Sequence, residues 1–69
     1  MENFERMLVE SGKVPNGTKF VWDRWYEHWP KGTVETCCGT ATFPAGEQHA
    51  VVAEHRVLDG KDTYDAYLY

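Results

Sequence analysis

Residues 48–69, "QHAVVAEHRVLDGKDTYDAYLY", admit two folds, and the choice between them decides the class of the whole chain. Ala50, Val51, Ala53, Val57 and Leu58 fit a helix that Gly60 would stop, yet Val51, Ala53 and Val57 also alternate with polar neighbours as a strand does. The second half breaks the tie. Asp59-Gly60 suits a two-residue turn, and beyond it Tyr64, Ala66 and Leu68 alternate with Thr63, Asp65, Tyr67 and Tyr69. A hairpin of about residues 49–58 with 62–69 is the expectation.

Upstream, "KGTVETCCGTATF" (31–43) reads as the clearest strand. Val34, Thr36, Cys38, Thr40 and Thr42 share one face; Glu35, Cys37, Ala41 and Phe43 share the other. Gly39 in its middle points to a bulge or a sharp bend. "NFERMLVESG" (3–12) predicts a short amphipathic helix with Asn3 as N-cap, Phe4, Met7 and Leu8 on its apolar side, and Gly12 past its end. Alone so short a helix is marginal in water, so those three side chains must dock, most simply on a sheet. "VPNGT" (14–18) is turn chemistry, and in "TKFVW" (18–22) Phe20 and Trp22 alternate with Lys19 and Val21.

"VWDRWYEHWP" (21–30) is harder. Trp22, Trp25, Tyr26 and Trp29 fall at i, i+3, i+4 and i+7, a helical stripe built from mediocre helix formers. The expectation is a strand to about Trp22 and then a short helical turn or wide loop closing at "WPKG" (29–32). In sum the chain reads as one domain, residues 1–69, mostly β (α+β): a short N-terminal helix, then a small antiparallel sheet curled into a barrel of SH3-like size. That likeness is architectural and carries no function.

Composition agrees with β structure. Seven Val, six Thr and ten aromatics make up a third of the 69 residues, while Ile is absent and Leu occurs three times. No apolar run approaches the roughly 20 residues of a membrane helix, and "MENFERM" is unlike a secretory signal, so a cytoplasmic location is expected. Cys37 and Cys38 are too few for a disulfide framework, and neighbours rarely bridge, so both read as thiols. The sequon at Asn16 reads as part of a turn rather than a glycan site.

Several chemistries find little support. Ser11, the only serine, has no histidine near it in sequence. Cys37 or Cys38 with His28, His49 or His55 as base would need the fold to unite them, and a small buried hydrophobe is the simpler reading of a free cysteine. Zinc on Cys37, Cys38, His49 and His55 has the right atoms but the wrong spacing, since adjacent strand residues face opposite ways and six residues span about 20 Å of strand. Asp59, Asp62 and Asp65 do not match a calcium loop, and the six glycines stand singly in place of a phosphate loop. No enzyme, metal or cofactor is expected.

What remains is binding. Ten aromatics exceed what a thin core can hide, and Trp and Tyr are enriched at the energetic centres of protein interfaces. The net charge is −4, but residues 13–34 are locally basic, with Lys13, Lys19, Arg24 and Lys31 against Asp23 and Glu27. The expected function is a non-enzymatic protein-binding module, an inhibitor or adaptor of the kind phages and mobile elements encode, occupying a surface of a larger host enzyme or complex. Its expected contacts are Arg24, Trp25, Tyr26, His28, Trp29, Tyr67 and Tyr69, with Asp62 and Asp65 from an acidic strip that also includes Glu47, Glu54 and Asp59. The alternative is a single-stranded nucleic-acid binder that stacks bases on Trp and Tyr beside Lys19, Arg24 and Lys31. Against it stands the overall negative charge.

Overall fold

The computed structural model of the chain describes residues 1–28 and 33–69. Helix α1 (Glu2–Glu10) leads into four strands, β1 (Lys19–Glu27), β2 (Val34–Thr42), β3 (Gln48–Leu58) and β4 (Lys61–Leu68). They form one antiparallel sheet in the order β1-β2-β3-β4. β1 and β4 are its edges, so the sheet is not closed and the expected barrel is not confirmed.

The β3–β4 hairpin follows its sequence. Leu58 pairs with Lys61 across a two-residue turn in which Asp59 and Gly60 both take positive φ, 51° and 75°. That turn's twist matches the twist of the strands it joins. Residues 48–58, ambiguous by periodicity, are therefore extended.

α1 begins two residues earlier than its sequence suggests. Met1 is the N-cap and its carbonyl accepts from the Phe4 and Glu5 amides, while Asn3 sits inside the helix and accepts a bond from Arg6. Glu2 and Glu5 lie in the first turn, where the helix dipole favours negative charge. At the other end Gly12 (φ 78°) reverses the chain so that the Lys13 and Val14 amides both reach the Leu8 carbonyl.

Phe4 and Leu8 turn inward and meet Val14, Cys37, Ala41, Val51, Ala53 and Ala66, which together are the buried core. Met7, Val9, Phe20, Trp22, Phe43 and Leu68 pack around it. Trp22 also donates its indole N–H to Glu5 at 2.9 Å, tying β1 to the helix. Helix and core lie on one side of the sheet.

The region after Trp22 differs from the turn or loop its spacing suggests, because β1 runs on to Glu27. The register slips between Trp22, opposite Gly39, and Trp25, opposite Cys37: three steps on β1 match two on β2. This one-residue bulge puts residues three apart on the same face, and so mimics a helical stripe in a strand. Trp22 and Trp25 thereby face α1, and Tyr26 faces away. The bulge lies in β1, across from Cys38 and next to the Trp22–Gly39 pair, rather than in β2. The segment expected to close at residues 29–32 lies outside the described residues.

Candidate functional site

Antiparallel pairing places directly opposed residues on the same face of a sheet. On the face away from α1, Tyr26, Thr36, Glu54 and Asp65 form one row across the four strands. Cys38, Val52 and Tyr67 form the next, and Val21, Thr40 and Ala50 the one after, continued by Tyr69, whose amide donates to the Ala50 carbonyl at 2.8 Å. Lys19 and Thr42 close the far end. Among the described residues no other element packs over this face.

The face has a definite relief. The middle of its two inner strands carries small side chains, Thr36, Cys38 and Thr40 on β2 and Ala50 and Val52 on β3, with Glu54 and Arg56 at one end and Gln48 at the other, while large ones stand on the edges. Val21 is 70% exposed and Tyr26 49%, with the Arg24 guanidinium 5.0 Å from the centre of the Tyr26 ring. On β4, Tyr67 has the Lys13 ammonium 5.8 Å from its ring centre, and that ammonium also donates to the Ala66 carbonyl. Such cation–ring contacts hold the rings and charges in defined positions. Partial burial first, and then the carboxylates of Asp65 and Glu54, push the Tyr67 phenol up from its ordinary value.

Charge on this face is uneven. Lys19 and Arg24 lie along β1, Asp65 and Lys61 both lie on β4, and Glu54 on β3 takes a bond from Arg56. The expected acidic strip is dispersed: Glu47 pairs with His49, Asp59 is in the turn, and Asp62 is on the helix side.

Of the residues the sequence nominates, Arg24, Tyr26, Asp65, Tyr67 and Tyr69 gather on the open face or its rim. His28 follows β1 and shares a hydrogen bond with Thr36 at 2.8 Å, which brings it to the same rim. Trp25 is on the opposite side, 40% exposed, its ring 5.7 Å from that of Phe4. Asp62 is there too, bonded at 2.8 Å to one nitrogen of His55, whose other nitrogen meets Glu35 at 3.2 Å. Tyr64 stacks on that imidazole at 4.5 Å. Hydrogen bonds to Asp62 first, and then Glu35, raise the His55 pKa. Trp29 and Lys31 lie outside the described residues.

The two cysteines part as strand alternation requires: Cys37 is buried and Cys38 exposed. The Cys37 thiol donates to the Asp23 carbonyl at 3.3 Å, and burial, then Asp23 and Cys38, push its pKa up. That is the behaviour of a core side chain rather than an activated nucleophile. Among the described residues no cluster of three His, Cys, Asp or Glu could hold a metal ion, and no helix is long and apolar enough to cross a membrane. Sequence reading missed the floor of the open face, Thr36, Cys38, Thr40, Ala50 and Val52. Their alternation was visible, but not which side α1 would cover. Compared with protein-family models, curated proteins and solved structures, the chain matches none.

Proposed function

We propose that this chain is a small non-enzymatic binding module, an inhibitor or adaptor, that occupies a surface of another protein with the open face of its sheet. One observation carries the reading. α1 covers the middle of one side of the sheet, with Trp25 and Tyr64 part-exposed beside it, while no element lies over the other side, which leaves Val21, Tyr26, Cys38, Ala50 and Tyr67 exposed in neighbouring positions. Contiguous apolar exposure on a small domain marks an interaction surface, and tyrosines with an arginine at the rim suit a protein partner. The cytoplasm fits this reading, because a reducing compartment keeps Cys38 a thiol.

The test is capture of a partner from the native host by the wild-type chain and by a Val21→Glu, Tyr26→Ala variant. Both positions are solvent-facing, so the thermal midpoint should hold while capture is lost. Capture at wild-type strength by the folded variant would refute the reading.

A second reading rests on Lys19 and Arg24 sharing this face with Tyr26 and Tyr67, which is how single-stranded nucleic acid is held. Glu54 and Asp65 on the same face oppose it. It requires oligonucleotide affinity that falls steeply between about 50 and 200 mM salt.

A further inference from the structure

The two faces of the sheet share one layout, and one of them is already filled. On the covered face, the rings of Phe20, Trp22 and Trp25 stand on β1 and that of Tyr64 on β4, over a floor of Cys37, Ala41, Val51 and Ala53. α1 lies over that floor and inserts Phe4 and Leu8. On the open face, Val21, Arg24 and Tyr26 stand on β1 and Tyr67 on β4, over Thr36, Cys38, Thr40, Ala50 and Val52.

Strands about 4.8 Å apart place β1 and β4 about 14 Å from each other, and an α-helix with its side chains is about 10–12 Å across. A helix therefore fits between the edge side chains and reaches a floor of small residues. Adding a strand to an edge is less suited: β1 carries a bulge, which disrupts edge pairing, and β4 brings Lys61, Asp62 and Asp65.

From this we infer that the partner presents an amphipathic α-helix, which lies along the strands in the open trough and makes the sheet the middle of three layers. The inference rests on the open face being the binding surface. Charge specifies the helix further. Its flank over β1 carries carboxylates to meet Lys19 and Arg24, its flank over β4, where Lys61 and Asp65 offset each other, is uncharged, and its central stripe is apolar.

Two displayed peptide libraries test this against the intact chain. One is built on an 18-residue Ala/Glu/Lys helix randomised along one face; the other is of 12-residue extended peptides. Cys38 provides the control, because N-ethylmaleimide reaches it and not buried Cys37, and the adduct fills the trough floor. Thr40→Lys is a second obstruction, and a thermal melt establishes that each altered protein is folded.

The expected result is enrichment of helical binders with acidic residues along one flank. Their affinity should drop at least tenfold on alkylation and on Thr40→Lys, and their amide shift changes should map to Thr36, Cys38, Thr40 and Val52. If only extended peptides bind, and alkylation blocks them, the helix is wrong while the open face stands as the binding surface. If no binder from either library is sensitive to alkylation, both readings fall. The inference is also overturned if the chain alone sediments as a dimer that alkylation dissociates, or if the face binds a dT oligonucleotide and no peptide.

Discussion

Replacing Gly39 with alanine tests the packing of β1 on β2 that carries Arg24 and Tyr26 to the open face. Gly39 lies opposite Trp22, one step before the bulge. A methyl group there would sit 2.5 Å from the Val21 carbonyl oxygen and 2.9 Å from Trp22 Cε3. Carbon and oxygen settle at about 3.3 Å or more, so β1 would have to retreat by roughly 0.8 Å. Two effects compete. Alanine is favoured over glycine in a strand by about 0.5–1 kcal/mol, whereas overpacking costs about 1–3 kcal/mol. The obstacle is a backbone carbonyl in a paired strand, which cannot rotate away, so the cost belongs at the upper end and wins. A net loss of about 1–2.5 kcal/mol follows, against a total near 3–10 kcal/mol for a chain of this length.

Circular-dichroism melts with matching urea titrations would read this loss as a fall of about 10 °C in midpoint, at about 4–8 °C per kcal/mol. Adding Trp22→Ala removes the indole contact but leaves the Val21 oxygen, so the double variant should not regain stability. A Gly39→Ala variant as stable as wild type, or more so, would mean that β1 does not approach Gly39 this closely and that the Trp22–Gly39 pairing from which the bulge departs is wrong.

Leu8→Ala should cost about 2–5 kcal/mol by denaturant unfolding, since Leu8 is fully buried under α1; a loss below 1 kcal/mol would deny the helix its place on the sheet. Native protein treated with N-ethylmaleimide should gain one adduct by intact mass and a second only in denaturant, because Cys38 is exposed and Cys37 is not; two adducts under native conditions would contradict this. The raised pKa of His55 means that the folded state binds its proton more tightly than the unfolded chain. Its contribution is therefore fully present below the unfolded value of about 6.5 and lost as pH rises through the folded value. Urea midpoints across that range should fall for wild type and stay flatter for His55→Gln, and equal slopes would refute the clamp with Asp62 and Glu35.

Local chemistry was legible in the sequence, and parity was not. Asp59-Gly60 has backbone preferences strong enough to specify its turn, so the β3–β4 hairpin and the faces of its strands could be read without coordinates. The alternation in β2 was equally plain. The stripe Trp22, Trp25, Tyr26 misled because one extra residue in a strand reproduces a helical spacing, and no side chain announces a bulge. Strand alternation divides the nominated contacts, and the slip decides that Tyr26 takes the open face and Trp25 the side of Phe4. Closure depends on whether β1 meets β4, a pairing of segments some 40 residues apart that periodicity does not report. The floor of the open face escaped notice because Thr, Ala and Cys on a strand are unremarkable until the position of α1 is known.

The most direct measurement is site-specific photo-crosslinking in a Cys38→Ser background. A benzophenone is attached either at Lys19→Cys, on the rim of the open face, or at Glu10→Cys, on the exposed side of α1. In native-host lysate, the group at position 19 should give one dominant crosslinked protein, and the group at position 10 should not give it. The same product from both positions, or from position 10 alone, would contradict the claim that the uncovered face of the sheet makes the attachment.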